Sequence, residues 1–216
     1  MLPFFFNISA LLCKSMKITN IFVVLLIISS CGGGSSNVTE NDSSIPGNDL
    51  NPVNETCVDT SRNGVDKCDL THDNRNRFYY LYVPDNLDTN QSIPILFAFH
   101  GYGSSALRHL GYTNYIPIAD RNNFIVVYPQ GESTSTLSAH WNVGGWTSKS
   151  PVKDLEFVET VIDLLKDKLP IDETRIYSSG MSNGGYMGYH LACNLSNKFA
   201  AIASVTGSMT TRTYDN

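Results

Sequence analysis

The stretch from Arg175 to Leu195 leaves the backbone little choice. Arg175-Ile-Tyr-Ser-Ser179 is short, β-branched and aromatic, and reads as a strand. Met187, Leu191 and Leu195 recur at helical spacing soon afterwards. Only Gly180-Met181-Ser182-Asn183-Gly184 lies between them. A strand that runs so directly into a helix must turn sharply, which forces the residue at the apex, Ser182, into a strained backbone position. A side chain at Gly180 or Gly184 would collide with the neighbouring elements.

Further strands are expected upstream. Phe78-Tyr-Tyr-Leu-Tyr-Val83 is aromatic and is stopped by Pro84-Asp85. Ile93-Pro-Ile-Leu-Phe-Ala-Phe99 is apolar throughout, as in a strand buried on both faces. Phe124-Ile-Val-Val-Tyr128 ends at Pro129-Gln-Gly131, and Ala200-Ala-Ile-Ala-Ser-Val205 closes the set. Leu155, Val158, Ile162, Leu165 and Leu169 follow the 3.6-residue period, widened by Phe157, Val161 and Leu164, and Pro170 closes that helix. Strands alternating with amphipathic helices predict an α/β fold, a mainly parallel sheet covered on both faces. Asp154 is expected to cap the helix it precedes.

The N-terminus reads as an address. Ile21-Phe-Val-Val-Leu-Leu-Ile-Ile28 is too short to span a bilayer, is preceded by Lys14 and Lys17, and leads into Ser29-Ser30-Cys31. A basic start, an apolar run and a small-residue site predict a secretory signal over residues 1–31, with the functional start at Met16 as an alternative to Met1. The cysteine at its end resembles a bacterial lipobox, so Cys31 is the expected site of lipidation and membrane attachment, on a bacterial outer membrane or otherwise at the cell surface. Residues 32–56 are rich in Gly, Ser, Asn and Asp and predict a disordered tether. The folded domain is expected over 57–216. Export permits disulfides, and Cys57 and Cys68 are near enough in sequence to pair.

Composition excludes some functions. The net charge of −5 over 216 residues gives no basic footprint, so no nucleic-acid partner is expected, and a monomer is. The five cysteines include no C-x-x-C pair, so neither a zinc site nor a redox motif is predicted, and no metal or organic cofactor is expected.

Chemistry concentrates in two motifs. Gly180-Met181-Ser182-Asn183-Gly184 is G-x-S-x-G in strand–turn–helix context, which makes Ser182 the expected nucleophile. The helix beneath it aims the Asn183 N–H at any oxyanion formed there. His100-Gly101-Tyr102-Gly103 follows the buried strand, and the Tyr102 N–H is the expected second oxyanion donor, with His100 structural. Trp141 and Trp146 are candidates for lining a substrate pocket. His72 is expected in polar coil, His109 on a helix, and His140 at the surface.

Taken together, HGYGSSA, IADRNNFIVVYPQG, WNVGGW, the run from Val152 to Cys193 and FAAIASVTG resemble the polyhydroxybutyrate-depolymerase-like esterases, which group with feruloyl and acetylxylan esterases. The resemblance runs from about Phe78 to Met209. It implies a three-layer α/β-hydrolase sandwich and hydrolysis of carboxylic esters of a polyester or an acylated plant polysaccharide outside the cell. His140 stands where relatives often carry a cysteine. Cys193 matches a cysteine that relatives pair with one further along than residue 216. Triad order in this fold is Ser, acid, His. The one histidine after Ser182 is His190, about 12 Å along the same helix. The sequence is therefore expected to lack the acid, the base and the last strands, and to be inactive as it stands. A second reading is a lipid-anchored binding protein on a relic hydrolase fold.

Overall fold

A computed structural model describes residues 54–62 and 64–210. The signal, Cys31 and nearly all of the tether lie outside them. Their strands form one sheet in the order β1-β2-β3-β5-β4-β6-β7. These are β1 (Glu55–Arg62), β2 (Val65–His72), β3 (Arg75–Tyr82), β4 (Ile93–Phe99), β5 (Ile125–Pro129), β6 (Ile171–Met181) and β7 (Ala201–Val205). The helices are α1 (Ala106–Thr113), α2 (Ile116–Asn122), α3 (Asp154–Lys166) and α4 (Asn183–Asn194).

The first half of the sheet is antiparallel, from β1 through β2 and β3 to β5. Its second half, β5-β4-β6-β7, is parallel. The expected mainly parallel sheet is thus a mixed one. Two-residue connections join β1 to β2 and β2 to β3, whereas the parallel half requires crossovers, and α1 to α4 supply them. β1 begins at Glu55, two residues before the expected domain start. Cys57 lies directly opposite Cys68 in the β1–β2 register, and the two form a disulfide. Cys193 is also disulfide-bonded.

Alternation along the strands sorts side chains into two cores, giving three layers. Ile95, Phe97 and Phe99 of β4 join Ile125 and Val127 of β5, and α3 and α4 cover them with Phe157, Val158, Val161, Ile162, Leu165, Met187 and Leu191. On the other face Ala98, Val126 and Tyr128 pack with Ala106 of α1 and Ala119 of α2. Burying each large apolar side chain stabilises the fold by about 1.5–3 kcal/mol. Ser105 caps α1 by accepting the Arg108 N–H, and Asn114 ends it in the left-handed region.

Asp154 does not cap α3. It occupies the first helical position, the cap residue is Lys153, and no side-chain cap bond forms. The Asp154 carboxylate is buried and accepts from Arg77 at 2.8 Å and from the Asn142 N–H at 2.7 Å. Arg77 also donates to the Gln130 carbonyl, and its guanidinium lies 3.9 Å over the Phe157 ring. This pair joins β3 to α3 through the core. His72, expected in coil, is the last residue of β2 and packs against Phe157.

His109 lies on α1, buried against Tyr128, with Nδ1 bonded to the Tyr112 hydroxyl. Burial, with a smaller repulsion from His100, lowers its pKa to about 4.

Two outcomes follow. Asp154→Ala leaves the Arg77 charge buried without its partner and is expected to destabilise the protein by about 3–5 kcal/mol in urea unfolding, with Arg77→Met/Asp154→Leu recovering most of it. A loss below about 1 kcal/mol would contradict a buried pair. His109 binds its proton less readily folded than unfolded, so its neutral form stabilises the fold above pH 6.5. That contribution declines as pH falls from 6.5 toward about 4. Unfolding midpoints measured across that window should flatten in His109→Gln; an unchanged slope would remove His109 as the cause.

Candidate active site

Because β4, β5, β6 and β7 run parallel, their carboxyl ends share one edge of the sheet. Phe99 at the end of β4 is level with Gly180 near the end of β6, and Met181 is level with Val205 of β7. The loops that follow β4 and β6 therefore meet at this edge.

Ser182 sits at the apex between β6 and α4 with φ 52° and ψ −120°. A non-glycine residue held there stores about 1–3 kcal/mol of strain. Its N–H donates to the Val205 carbonyl at 2.8 Å, and its carbonyl accepts the Tyr186 N–H at 2.9 Å. Both peptide ends are thus fixed, while Oγ makes no hydrogen bond to a described residue. The glycines around it are needed for close approach. A Cβ at Gly180 would lie 2.2 Å from the Gly184 carbonyl oxygen, and one at Gly184 would lie 2.1 Å from that of Phe99. The helix consequently packs backbone to backbone on the strand ends, with its N-terminal N–H groups beside the serine.

The loop His100-Gly101-Tyr102-Gly103 comes up to Ser182 from β4. A Cβ at Gly101 would be 3.5 Å from the Ser182 Cβ. His100 is buried and neutral, its pKa lowered by desolvation. Its Nε2 accepts the Gly131 N–H at 2.9 Å, which leaves the proton on Nδ1 to donate to the Gly101 carbonyl at 2.8 Å. Gly103 N–H donates to the Ala139 carbonyl and Ser104 N–H to that of Gly101. The Tyr102 N–H has no acceptor among the described residues.

The two tryptophans separate sharply. Trp146 is 50% exposed and meets the Tyr102 ring edge to face at 5.2 Å, Tyr102 itself being 44% exposed. Met181 and Tyr112, in contact through sulfur and hydroxyl, add further exposed apolar surface beside the serine. Trp141, by contrast, is fully buried, so its expected contact with substrate is corrected: no face of its ring reaches solvent. His140 is also buried rather than at the surface, with its ring bonded to Ser150 Oγ and the Ser138 carbonyl.

His190 is buried on α4, eight residues beyond Ser182, with Nδ1 3.1 Å from the Asn194 carboxamide. The described residues place no imidazole on the Ser182 hydroxyl. Sequence reading placed Ser182 at the turn between strand and helix but missed the polar side chains that hold that turn and the loop after β4, chiefly those of Asn183 and Gln130. Such residues carry no periodic signal; the one hint is Gln130 directly after Pro129 at a strand end.

Residues 111–216 match the model of the prolyl oligopeptidase family. The chain is 34% identical over 131 residues to a bifunctional acetylxylan esterase/xylanase of Neocallimastix patriciarum, covering 61% of this chain and 18% of that protein. It is 34% identical over 130 residues to feruloyl esterase B of Thermothelomyces thermophilus, covering 59% and 43%. The chain thus spans less than half the length of these relatives. Among solved structures, an acetyl xylan esterase from Aspergillus awamori superposes with a TM-score of 0.53 at 21% identity, over 65% of this chain and 50% of that one. A thermostable esterase superposes at 0.56, also at 21% identity, over 68% and 42%. Strained serine, glycine-cleared turn and sheet order agree with these likenesses: the chain has an α/β-hydrolase fold and is similar in sequence to feruloyl and acetylxylan esterases.

Proposed function

We propose that Ser182 is the nucleophile of an exported hydrolase that cleaves carboxylic esters on acylated plant polysaccharide. The observation that carries this is the strained Ser182 apex at the start of a helix, whose hydroxyl makes no hydrogen bond to a described residue. Ser182 Oγ attacks the ester carbonyl, the alcohol leaves, and water releases the acyl group from the serine. The Asn183 and Tyr102 N–H groups receive the charge that develops on the carbonyl oxygen. Attack also requires a base for the hydroxyl proton, and no described side chain is placed to take it. The acetylxylan and feruloyl esterases among the relatives favour acylated polysaccharide over a polyester. Export and anchoring rest on the apolar run before Cys31 and on the lipobox-like cysteine itself.

Tyr102 lies on the loop that carries one proposed oxyanion donor, and Trp146, in the short 3-10 turn Gly145–Thr147, packs against its exposed ring. An aromatic acyl group bound at the serine would meet that surface.

The decisive comparison uses the protein encoded by the complete open reading frame. It is expected to hydrolyse methyl ferulate or acetylated xylan faster than poly-3-hydroxybutyrate, with Ser182→Ala lowering kcat by about 10⁴-fold or more. Undiminished turnover in Ser182→Ala would remove the nucleophile. Tight binding of xylan without hydrolysis would instead support the lipid-anchored binding protein. Trp146→Ala is expected to raise KM for methyl ferulate about 3–10-fold with little change in kcat, the signature of lost ground-state binding. An unchanged KM would place the acyl group elsewhere.

A further inference from the structure

Among the described residues Trp141 makes three hydrogen bonds, to His100 of the loop after β4 and to Asn183 at the start of α4. Its indole Nε1–H donates to the His100 carbonyl at 2.9 Å. Its main-chain N–H donates to Asn183 Oδ1 at 2.7 Å, and its carbonyl accepts from Asn183 Nδ2 at 3.2 Å. The ring is wedged edge to face against Phe99 at 5.0 Å and tilted against His100 at 5.1 Å. One buried residue thereby links the loop after β4 to the first residue of α4.

These are the two segments that present the N–H groups at the serine. On the α4 side, the Asn183 carboxamide is held at both ends, so the residue that supplies one N–H cannot rotate. On the β4 side, the link passes through a peptide group. The Gly101 carbonyl and the Tyr102 N–H belong to one planar trans unit and point in opposite directions. His100 Nδ1–H and the Ser104 N–H hold that carbonyl, which fixes where the Tyr102 N–H points. Trp141 holds His100 in turn, and the Gly131 N–H on His100 Nε2 fixes the tautomer that can donate.

We infer that Trp141 is a positioning residue for the oxyanion site: by tying His100 to Asn183 it sets the separation and direction of the Tyr102 and Asn183 N–H groups. It touches neither substrate nor the reacting atoms. This rests on the esterase reading of Ser182. A shift of about 1 Å in such donors lowers turnover by about 10²-fold while leaving ground-state binding alone.

Trp141→Phe keeps an aromatic ring but removes the bond to His100 together with part of the buried ring volume; Asn183→Ala removes the link from the other end without touching the indole. Both are tested in the protein from the complete open reading frame, with p-nitrophenyl acetate as substrate and an alkyl trifluoromethyl ketone as inhibitor. The ketone adduct carries an oxyanion and therefore reports the donors directly. In each folded variant kcat is expected to fall by about 10²-fold, KM to stay within about twofold, and ketone affinity to fall in parallel with kcat. Turnover within about threefold of wild type in the folded variants, or loss of kcat with unchanged ketone affinity, would overturn the inference. If Trp141→Phe does not fold, Asn183→Ala decides alone. Absence of ester turnover in the wild-type protein would overturn the esterase reading and this role with it, whereas active wild type with active variants overturns this role only.

Discussion

Backbone contact between the start of α4 and the ends of β4 and β6 is the constraint on which the site depends. Gly180 and Gly184 allow carbonyl oxygens to lie where a Cβ would otherwise sit, closer than 2.3 Å. That approach drives the turn through Ser182 into the left-handed region and brings helix N–H groups to the strand ends. Strain of about 1–3 kcal/mol at one residue is small beside the burial of the α3 and α4 apolar faces against the sheet. The large core therefore holds a small distorted element in place.

Polar groups then do locally what the core does globally. Arg77 joins β3 to Asp154 of α3, and Asp154 holds the Asn142 N–H next to Trp141. Gln130 receives the Ala106 N–H at the start of α1 and lies beside His100 Nε2. His100 and Trp141 continue the chain of bonds to Asn183. Every one of these side chains except the partly buried Gln130 and Asn142 is buried, so each bond is made in a medium that strengthens it and penalises its loss. Rigidity at the carboxyl edge of the sheet thus comes from a buried polar network, although Arg77 Nε and Nη1 have no hydrogen-bond partner among the described residues, while the exposed Tyr102–Trp146 pair stands outside it.

Legibility in the sequence followed the physical signal of each element. β4 was readable to the residue because seven apolar positions in a row admit little else. α3 was readable from its period, and Ser182 from the contrast of periods on its two sides. The β1 strand was missed because nearly all its residues are exposed, leaving no alternation to see; its pairing is set by the Cys57–Cys68 register. α1 and α2 are too short for a period to establish itself, and Gly111 weakens the pattern of α1 further. Trp141 was read as a candidate for lining a substrate pocket because a run of Asn, Val and glycines after it looks like loop. Its burial depends on two partners about 40 residues away in each direction, which no local pattern encodes.

The central proposal is that Ser182, held at the strained turn, is the nucleophile. Incubating the protein from the complete open reading frame with a fluorophosphonate, then locating the adduct by peptide mass spectrometry, tests it most directly. A single phosphonyl group on Ser182, absent after prior denaturation, is the predicted result. A natively folded protein that takes up no label at Ser182, or takes it up elsewhere, would contradict it.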